Sequence, residues 1–479
     1  MIEVRLFLCG NESKSDRYRK IWRNGRQCRV MVKLPVRAEF WRRASLGLAV
    51  ALLALMTAPA GGQDLPAWAM LGMGSHKNQP LPGPPPIRAS QPPTLSYPVE
   101  PMGFSAPGAF YLGMRNSLVS LDFLDEDKVL FTFRVPGLIH RDLNSEERTD
   151  ERKIRALVIR LPQGTVQAEA VWTVHDRSRY LWMLGNGQFL FRDREKLQLG
   201  DASLQLKPYL QFPGPVLWVE MDPSKKYLVT GSSEPAARTP KPGDVPSPET
   251  AQATVTGEQK LGGEPDMVLR ILRRDSGQVL LVSHLRSEVH LPINGDGYLE
   301  TLRSRGAAWA LNLNFFTGGS SIVGSVDSVC SPSIDFVSAK EFLATTCGPG
   351  GDARLVAMGT NGHRLWEGPA SGTLVWPLLV MAADGSRLAR ETLVATHAVN
   401  ASAPLGTEDI KGQAVEVIDA ASGKVALRAE ASPVLDAGGN VAISPSGRRV
   451  AVLGAGAIQI FELPAPPPLP DLSVTKAGP

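Results

Sequence analysis

Between about residues 110 and 463 the chain alternates short β-branched or aromatic runs with tight polar turns, and the alternation repeats. Five segments share one form: LDFLDEDKVLFTF from Leu121, LWVEMDPSKKYLVTG from Leu217, IDFVSAKEFLATT from Ile334, LLVMAADGSRLARETLVATH from Leu378 and VAISPSGRRVAVLG from Val441. Each reads as an antiparallel hairpin with turn formers at its tip. A second hairpin follows most of them: ALVIRLPQGTVQAEAVW from Ala156, MVLRILRRDSGQVLLVSH from Met267, ARLVAMGTNGHRLWEG from Ala353 and AVEVIDAASGKVALRAE from Ala414. Gly164, Gly277, Gly362 and Gly423 fall at equivalent turn positions, where a positive φ is required and glycine supplies it without a Cβ clash. Two hairpins in succession make a four-stranded sheet.

Counted this way, sheets fall near residues 117–174, 216–291, 332–369, 374–435 and 440–463, with weaker ones at about 177–213 and 297–331, so seven are expected. The last offers only three strands, and a strand from about Ala109 to Asn116 is expected to supply the fourth and close the ring. Ring closure removes exposed sheet edges. Two packed β-sandwiches are the alternative.

The turn Asp419-Ala-Ala-Ser-Gly423-Lys424, and Ser444-Pro445-Ser446-Gly447-Arg448-Arg449 ahead of VAVLG, resemble those of WD40 and YVTN-type β-propellers. The paired Gly-His and Trp-Asp marks of WD40 repeats are absent, so a general bacterial propeller is the nearer likeness. The resemblance implies an all-β, seven-bladed β-propeller of four-stranded antiparallel blades, closed by an N-terminal strand and spanning 109–463.

Composition changes the picture at the chain's ends. Lys33, Arg37, Arg42 and Arg43 precede an uncharged apolar run, Ala44 to Met56, followed by Ala58-Pro59-Ala60 and Gly61-Gly62. That order matches a secretory signal peptide over 31–60, cleaved after Ala60. The run is too short to span a bilayer as a mature helix. An uncleaved anchor is the alternative, and only then is membrane contact expected. Met31 stands where such a signal starts, so residues 1–30 are read as an untranslated upstream extension, with a cytoplasmic basic tail as the alternative. Ten prolines between Pro80 and Pro107 mark 61–108 as a spacer, and residues 464–479 read as a proline-rich disordered tail.

The net charge of +4 comes from the N-terminus: residues 1–60 hold 12 Lys and Arg against 4 Asp and Glu, leaving 39 against 43 beyond them. A nucleic-acid partner therefore loses its electrostatic support. Beyond the signal the thiols are Cys330 and Cys347, in a chain expected in an oxidising compartment, periplasmic or secreted. With Ala339-Lys340 at its tip, the hairpin sets Cys347 against Pro332, two residues from Cys330, so a disulfide fits with a small shift or bulge. Two free buried thiols are the alternative.

Nucleophile–base pairs and clustered metal ligands do not occur at a recognisable spacing, so no catalytic residue, metal ligand or cofactor is assigned. His284 and His290 suit hydrogen-bonded edge positions better than a metal site. His140-Arg141-Asp142-Leu143 mimics a kinase catalytic loop, but Glu147 stands where that motif has Asn. Trp172, Trp182, Trp218, Trp309, Trp366 and Trp376 suit packing between blades better than a sugar-binding surface.

The connections between second and third strands are long at Val135–Arg152, Gly231–Pro265 and Val399–Gly412. In propellers those connections share a face with the inter-blade crossovers. Arg141, Asp142 and Glu408 on these loops are the candidate binding residues. The expected function is that of an exported, non-catalytic protein that binds or scaffolds a protein or envelope component. The alternative is a propeller enzyme (hydrolase, lactonase-like or quinoprotein) with its site at the central channel. Carboxylates or histidines converging on the channel mouth would favour the enzyme, and an apolar, loop-rimmed patch a partner surface.

Overall fold

The computed structural model describes residues 19–23, 26–30, 89–106, 118–135, 140–141, 150–175, 179–234, 266–285, 289–304, 306–349, 353–371, 378–396, 409–435 and 438–468. The chain divides into two units, Met1–Gly83 and Pro84–Pro479. The first contains an antiparallel pair, β1 (Arg19–Arg23) with β2 (Arg26–Val30).

The second unit is a β-propeller of seven antiparallel sheets. It begins with β3 (Leu95–Pro98), which belongs to the last blade. Blade one is β4 (Ser120–Phe123), β5 (Lys128–Arg134), β7 (Asp150–Arg160) and β8 (Thr165–Val174), with the two-residue β6 (His140–Arg141) against the start of β7. Blade two is β9 (Leu181–Gly185), β10 (Gln188–Asp193), β11 (Lys196–Gly200) and β12 (Lys207–Gln211). Blade three is β13 (Val216–Met221), β14 (Tyr227–Glu234), β15 (Asp266–Arg273) and β16 (Val279–Leu285). Blade four is β17 (Gly297–Arg303), β18 (Ala308–Phe315) and β19 (Ser320–Asp327), and blade five is β20 (Ser333–Phe336), β21 (Glu341–Cys347), β22 (Ala353–Gly359) and β23 (Arg364–Ser371). Blade six is β24 (Leu378–Met381), β25 (Arg387–Ala395), β26 (Ile410–Asp419) and β27 (Val425–Ala431). Blade seven is β28 (Val441–Ile443), β29 (Arg449–Gly454), β30 (Ala457–Glu462) and β3. First strands of neighbouring blades touch, β4 with β28 and β9 and β28 with β24, so they form the inner ring.

Local chemistry repeats with the blades. Gly164, Gly277, Gly362 and Gly423 all take positive φ, between 66 and 87°, in the turn between third and fourth strands. The register shifts just before each of these turns, at Val158/Ile159, Ile271/Leu272, Ala357/Met358 and Val417/Ile418. This is a turn with a glycine bulge, which adds twist to the outer strand. A backbone bond ties each of these four turns to the first hairpin of its own blade: Leu161 N–H donates to Asp127 O, Arg274 to Lys226 O, Thr360 to Lys340 O and Ala420 to Ser386 O; Leu463, just after β30, donates likewise to Arg448 O.

The core lies between blades. Trp172 packs with Phe189 and Phe191 at ring separations of 5.6 and 5.1 Å between blades one and two. There the buried Tyr180 hydroxyl donates to Leu118 O at 2.5 Å and is bonded to Thr132 Oγ1 at 2.6 Å. Trp182, Trp218, Trp309 and Trp366 sit in four further apolar clusters, so these tryptophans are packing residues as expected, while Trp376 lies outside the described residues. Burial of flat rings this large fills the wedge between twisted sheets.

Four expectations need correction. The ring-closing strand is β3, inside the segment read as spacer, and the propeller boundary at 109 moves upstream; residues 109–116 lie outside the described residues. Four residues suffice because β3 pairs on one side only, and Pro98, at its end, withholds no ladder hydrogen bond. Among the described residues blade four has three regular strands, and its fourth, innermost position is taken by the Leu291–Asn294 segment, held by Leu299 N–H to Pro292 O at 2.9 Å and Asn294 N–H to Gly297 O at 3.0 Å. The insertion placed at Gly231 begins after Glu234, because Gly231 lies in β14 against the Trp218 ring, where a Cβ would come within 2.1 Å. The β20–β21 register pairs Ser333 with Thr345, one residue off the expected one, because the loop has three residues rather than two: Val337 N–H donates to Glu341 O.

Candidate functional site

Strand direction sorts the connections onto two faces. First-to-second and third-to-fourth connections emerge on one face, second-to-third connections and inter-blade crossovers on the other. The first face carries tight turns capped by short polar side chains: Asp222 accepts from Ser224 N–H and Tyr227 N–H, Asp384 from Ser386 N–H, and Ser444 Oγ from Arg449 N–H. The second face carries the long connections, Arg134 to Asp150, Glu234 to Asp266 and Ala395 to Ile410, in blades one, three and six. Arg141 lies in β6 on this face, paired with Asp150. Asp142, Glu408 and most of the three connections lie outside the described residues, so no contact among the candidate binding residues is assigned.

Beneath two of these connections the supporting residues are well defined. The register of β14 and β15 runs to Glu234 opposite Asp266. There the Arg270 guanidinium grips the nearly buried Glu234 carboxylate through both nitrogens and Ser232 Oγ at 2.9 Å, which holds that carboxyl below its usual range despite desolvation. In blade six, Gln413 Nε2 donates to Glu391 Oε2 at 2.8 Å, and its Oε1 accepts from Leu435 N–H and Asn440 Nδ2, all buried.

Cys330 and Cys347 form a disulfide with Cα atoms 5.6 Å apart, on the same face. It ties the crossover after β19 to the end of β21. Cys347 N–H donates to Ser328 Oγ at 2.9 Å, and Val329 N–H to Cys347 O at 3.0 Å.

The inner ring holds a cluster that sequence spacing did not reveal. Glu220 and Asp335 are each the penultimate residue of a first strand, in blades three and five, toward the tight-turn end of the channel. His290, just before the irregular inner segment of blade four, spans the gap between its neighbours. Its Nδ1–H donates to Glu220 Oε1 at 2.5 Å and its Nε2–H to Ile334 O at 2.6 Å, with Asp335 Oδ1 4.0 Å from Nε2. Leu291 N–H donates to Glu220 Oε2 at 3.2 Å. Both ring nitrogens face acceptors, so the ring is an imidazolium. Partial desolvation opposes its charge, although 38% of the side chain stays exposed, and the Glu220 carboxylate outweighs that and pushes the pKa up to about 10. Desolvation raises the Asp335 carboxyl, partly offset by His290. With both nitrogens protonated the ring offers no lone pair to a metal or a substrate proton, and the cluster acts as a clasp between blades three and five. One signal was legible beforehand: LPIN stands where other blades have a strand, with His290 directly ahead of it.

An open groove of about 470 Å³, lined by Ile322, Val323, Met358 and Arg364 among others, lies at the rim between blades four and five rather than on the loop-bearing face. It is not loop-rimmed, so it does not meet the expectation for a partner surface on that face.

No protein-family model matches the sequence, and none of the curated proteins matches it. Solved structures similar to it include the WD40 domain of Toxoplasma gondii coronin, at 10% identity, TM-score 0.43, with 80% of this chain and 88% of that one covered. Another is the acylaminoacyl peptidase of Pyrococcus horikoshii, at 10% identity and TM-score 0.40, covering 70% of this chain and 48% of that one. TolB from Acinetobacter baumannii aligns at 14% identity and TM-score 0.33, over 71% and 80%. At these scores the fold assignment stands on the chain's own sheets.

Proposed function

We propose that this is an exported, non-catalytic propeller that binds a protein or envelope component through the face bearing its long connections. The observation that carries the reading is the asymmetry of the faces: tight, side-chain-capped turns on one, connections of about 15 to 31 residues from three blades on the other. Length is tolerated in surface connections at small entropic cost, and recognition residues concentrate there. The disulfide on that face supports an oxidising compartment, in keeping with the basic and apolar segments at 31–60. A channel enzyme would need a free base or nucleophile, whereas the His290 ring is consumed by its two acceptors.

The test joins Glu234 to Asp266 by an Asn-Gly turn, shortens the other two connections, and substitutes Arg141, Asp142 and Glu408. Capture of envelope components by the altered and unaltered proteins is then compared. Loss of capture at unchanged thermal midpoint is expected. Undiminished capture with all three altered would move the site to the channel or the opposite face. Mass spectrometry of the mature protein should find its first residue at or near Gly61, and peptides from residues 1–30 in that material would refute export by cleavage there.

A further inference from the structure

Each blade ends in an outermost strand whose far edge can accept another strand, and such edges are ordinarily blunted by charge, proline or irregularity. Six of the seven follow this rule: Glu169 interrupts β8, Pro208 β12, Pro369 β23, Arg428 β27 and Pro98 β3, and β19 ends on Asp327. The seventh, β16, reads VLLVSHL, with no Lys, Arg, Asp, Glu or Pro, and among the described residues it pairs with β15 alone. Val279, Leu280 and Val282 are 45, 37 and 52% exposed, although they lie in a seven-residue strand of high β-propensity.

The molecule already uses edge addition once. β3 pairs antiparallel along β30. Just upstream, Ser90 N–H donates to Arg428 O at 2.9 Å and Ser90 Oγ accepts from Arg428 N–H at 3.0 Å, a single-residue contact with the outer strand of blade six.

We infer that β16 pairs antiparallel with β16 of a second copy of this chain, forming a two-fold dimer through blade three. The occupant follows from the strand's own chemistry. Centred on Val282, self-pairing sets Val282 against Val282 and Leu280 against His284 of the second copy, so no acidic or basic pair is brought face to face. The other outer strands would bring their charges or prolines into the pairing. Antiparallel continuation of the sheet reverses the second propeller, so the loop-bearing faces point in opposite directions and the dimer presents two of them. That consequence rests on the binding-face reading; the pairing itself does not, and its test involves no loop residue.

The experiment measures the mass of the purified protein by sedimentation velocity over a concentration series, alone and as Val282→Lys. Twice the chain mass is expected, with at least a tenfold rise in dissociation constant for V282K, whose like charges meet at the two-fold. The variant should remain folded with a cooperative unfolding transition, since Val282 is half exposed in the single chain, and its midpoint should fall only by what dimerisation contributes. As a second arm, mild oxidation of V282C should yield a peptide carrying the substitution linked to its own copy, whereas V171C, on the exposed face of β8, should not. A protein that stays monomeric at about 100 µM, a dimer indifferent to V282K, or equal crosslinking of V171C would each overturn the proposal.

Discussion

Blades four and seven both draw three regular strands from their own stretch of chain, and they make up the deficit differently. Blade seven lacks its outermost strand and receives β3 from far upstream, through backbone pairing with β30. Val99 and Phe104 follow β3 into the apolar cluster between blades seven and one, where Phe104 lies 5.5 and 5.4 Å from Phe131 and Phe133. Blade four lacks its innermost strand, and a non-strand segment is held there by a charged side chain, His290, between Glu220 and the Ile334 carbonyl. An outer deficit can be filled by any strand that reaches the free edge. An inner one is confined between neighbours, so a compact ionic clasp serves where a pleated strand is absent. The first solution is indifferent to pH in the neutral range, and the second is not.

The largest expected effect breaks blade seven. A chain starting at residue 107 loses β3, Val99 and Phe104, and should unfold at far lower denaturant or fail to fold cooperatively. Phe104→Ala alone should cost about 3–5 kcal/mol. Chemical denaturation measures both, and a near-native midpoint for the truncated chain would show that the ring closes elsewhere.

Next comes the joint after blade four. Replacing Cys330 and Cys347 with serine removes a crosslink of sequence separation 17 and should cost at most about 3 kcal/mol, read as a lower thermal midpoint under non-reducing conditions only.

A smaller effect tests the clasp itself. Because the folded-state pKa of His290 is raised to about 10, its contribution is complete below the unfolded value of 6.5 and declines as pH rises toward 10. His290→Gln should therefore cost about 1–3 kcal/mol at pH 6, with the difference from the parent protein shrinking toward pH 10. Denaturation at several pH values checks this, and a difference independent of pH would exclude the imidazolium.

The smallest effect compares equivalent positions at the start of the second strand. In blade seven Arg449 reaches blade one, donating to Glu126 O at 2.7 Å and Asp127 Oδ1 at 3.0 Å. In blade five the same position holds Glu341, buried, with Oε1 unpartnered, and burial pushes its pKa up to about 7. A raised carboxyl pKa means the folded state loses stability as pH climbs from about 4.5 to 7. Glu341→Gln should stabilise by about 1–2 kcal/mol at pH 8 and leave stability unchanged at pH 4. Equal effects at both pH values would point to packing rather than charge.

How much of this was legible beforehand varies with the range of the interaction. The hairpins, the four turn glycines and the count of seven sheets depend on contacts within about twenty residues, and period-2 patterning with turn chemistry reports those directly. The disulfide was approachable for the same reason, since one hairpin carries both of its ends close together, although the register differed by one residue. The closing strand was misplaced because LSYP owes its extended pairing to a free edge more than 350 residues away in sequence, and nothing in those four residues advertises that partner. Connection length alone points to the candidate loop residues, and of them only Arg141 falls among the described residues.

Secondary structure, turn type and the order of blades were thus determined by local sequence, because backbone hydrogen bonds and φ preferences are satisfied between chain neighbours. Which strand closes the ring, which blade goes without an inner strand, and why His290 is held charged were decided only by the tertiary structure. Those outcomes depend on which free edge, carboxylate and carbonyl the closed ring brings within hydrogen-bonding distance, and that proximity does not exist until the sheets have packed around a common axis.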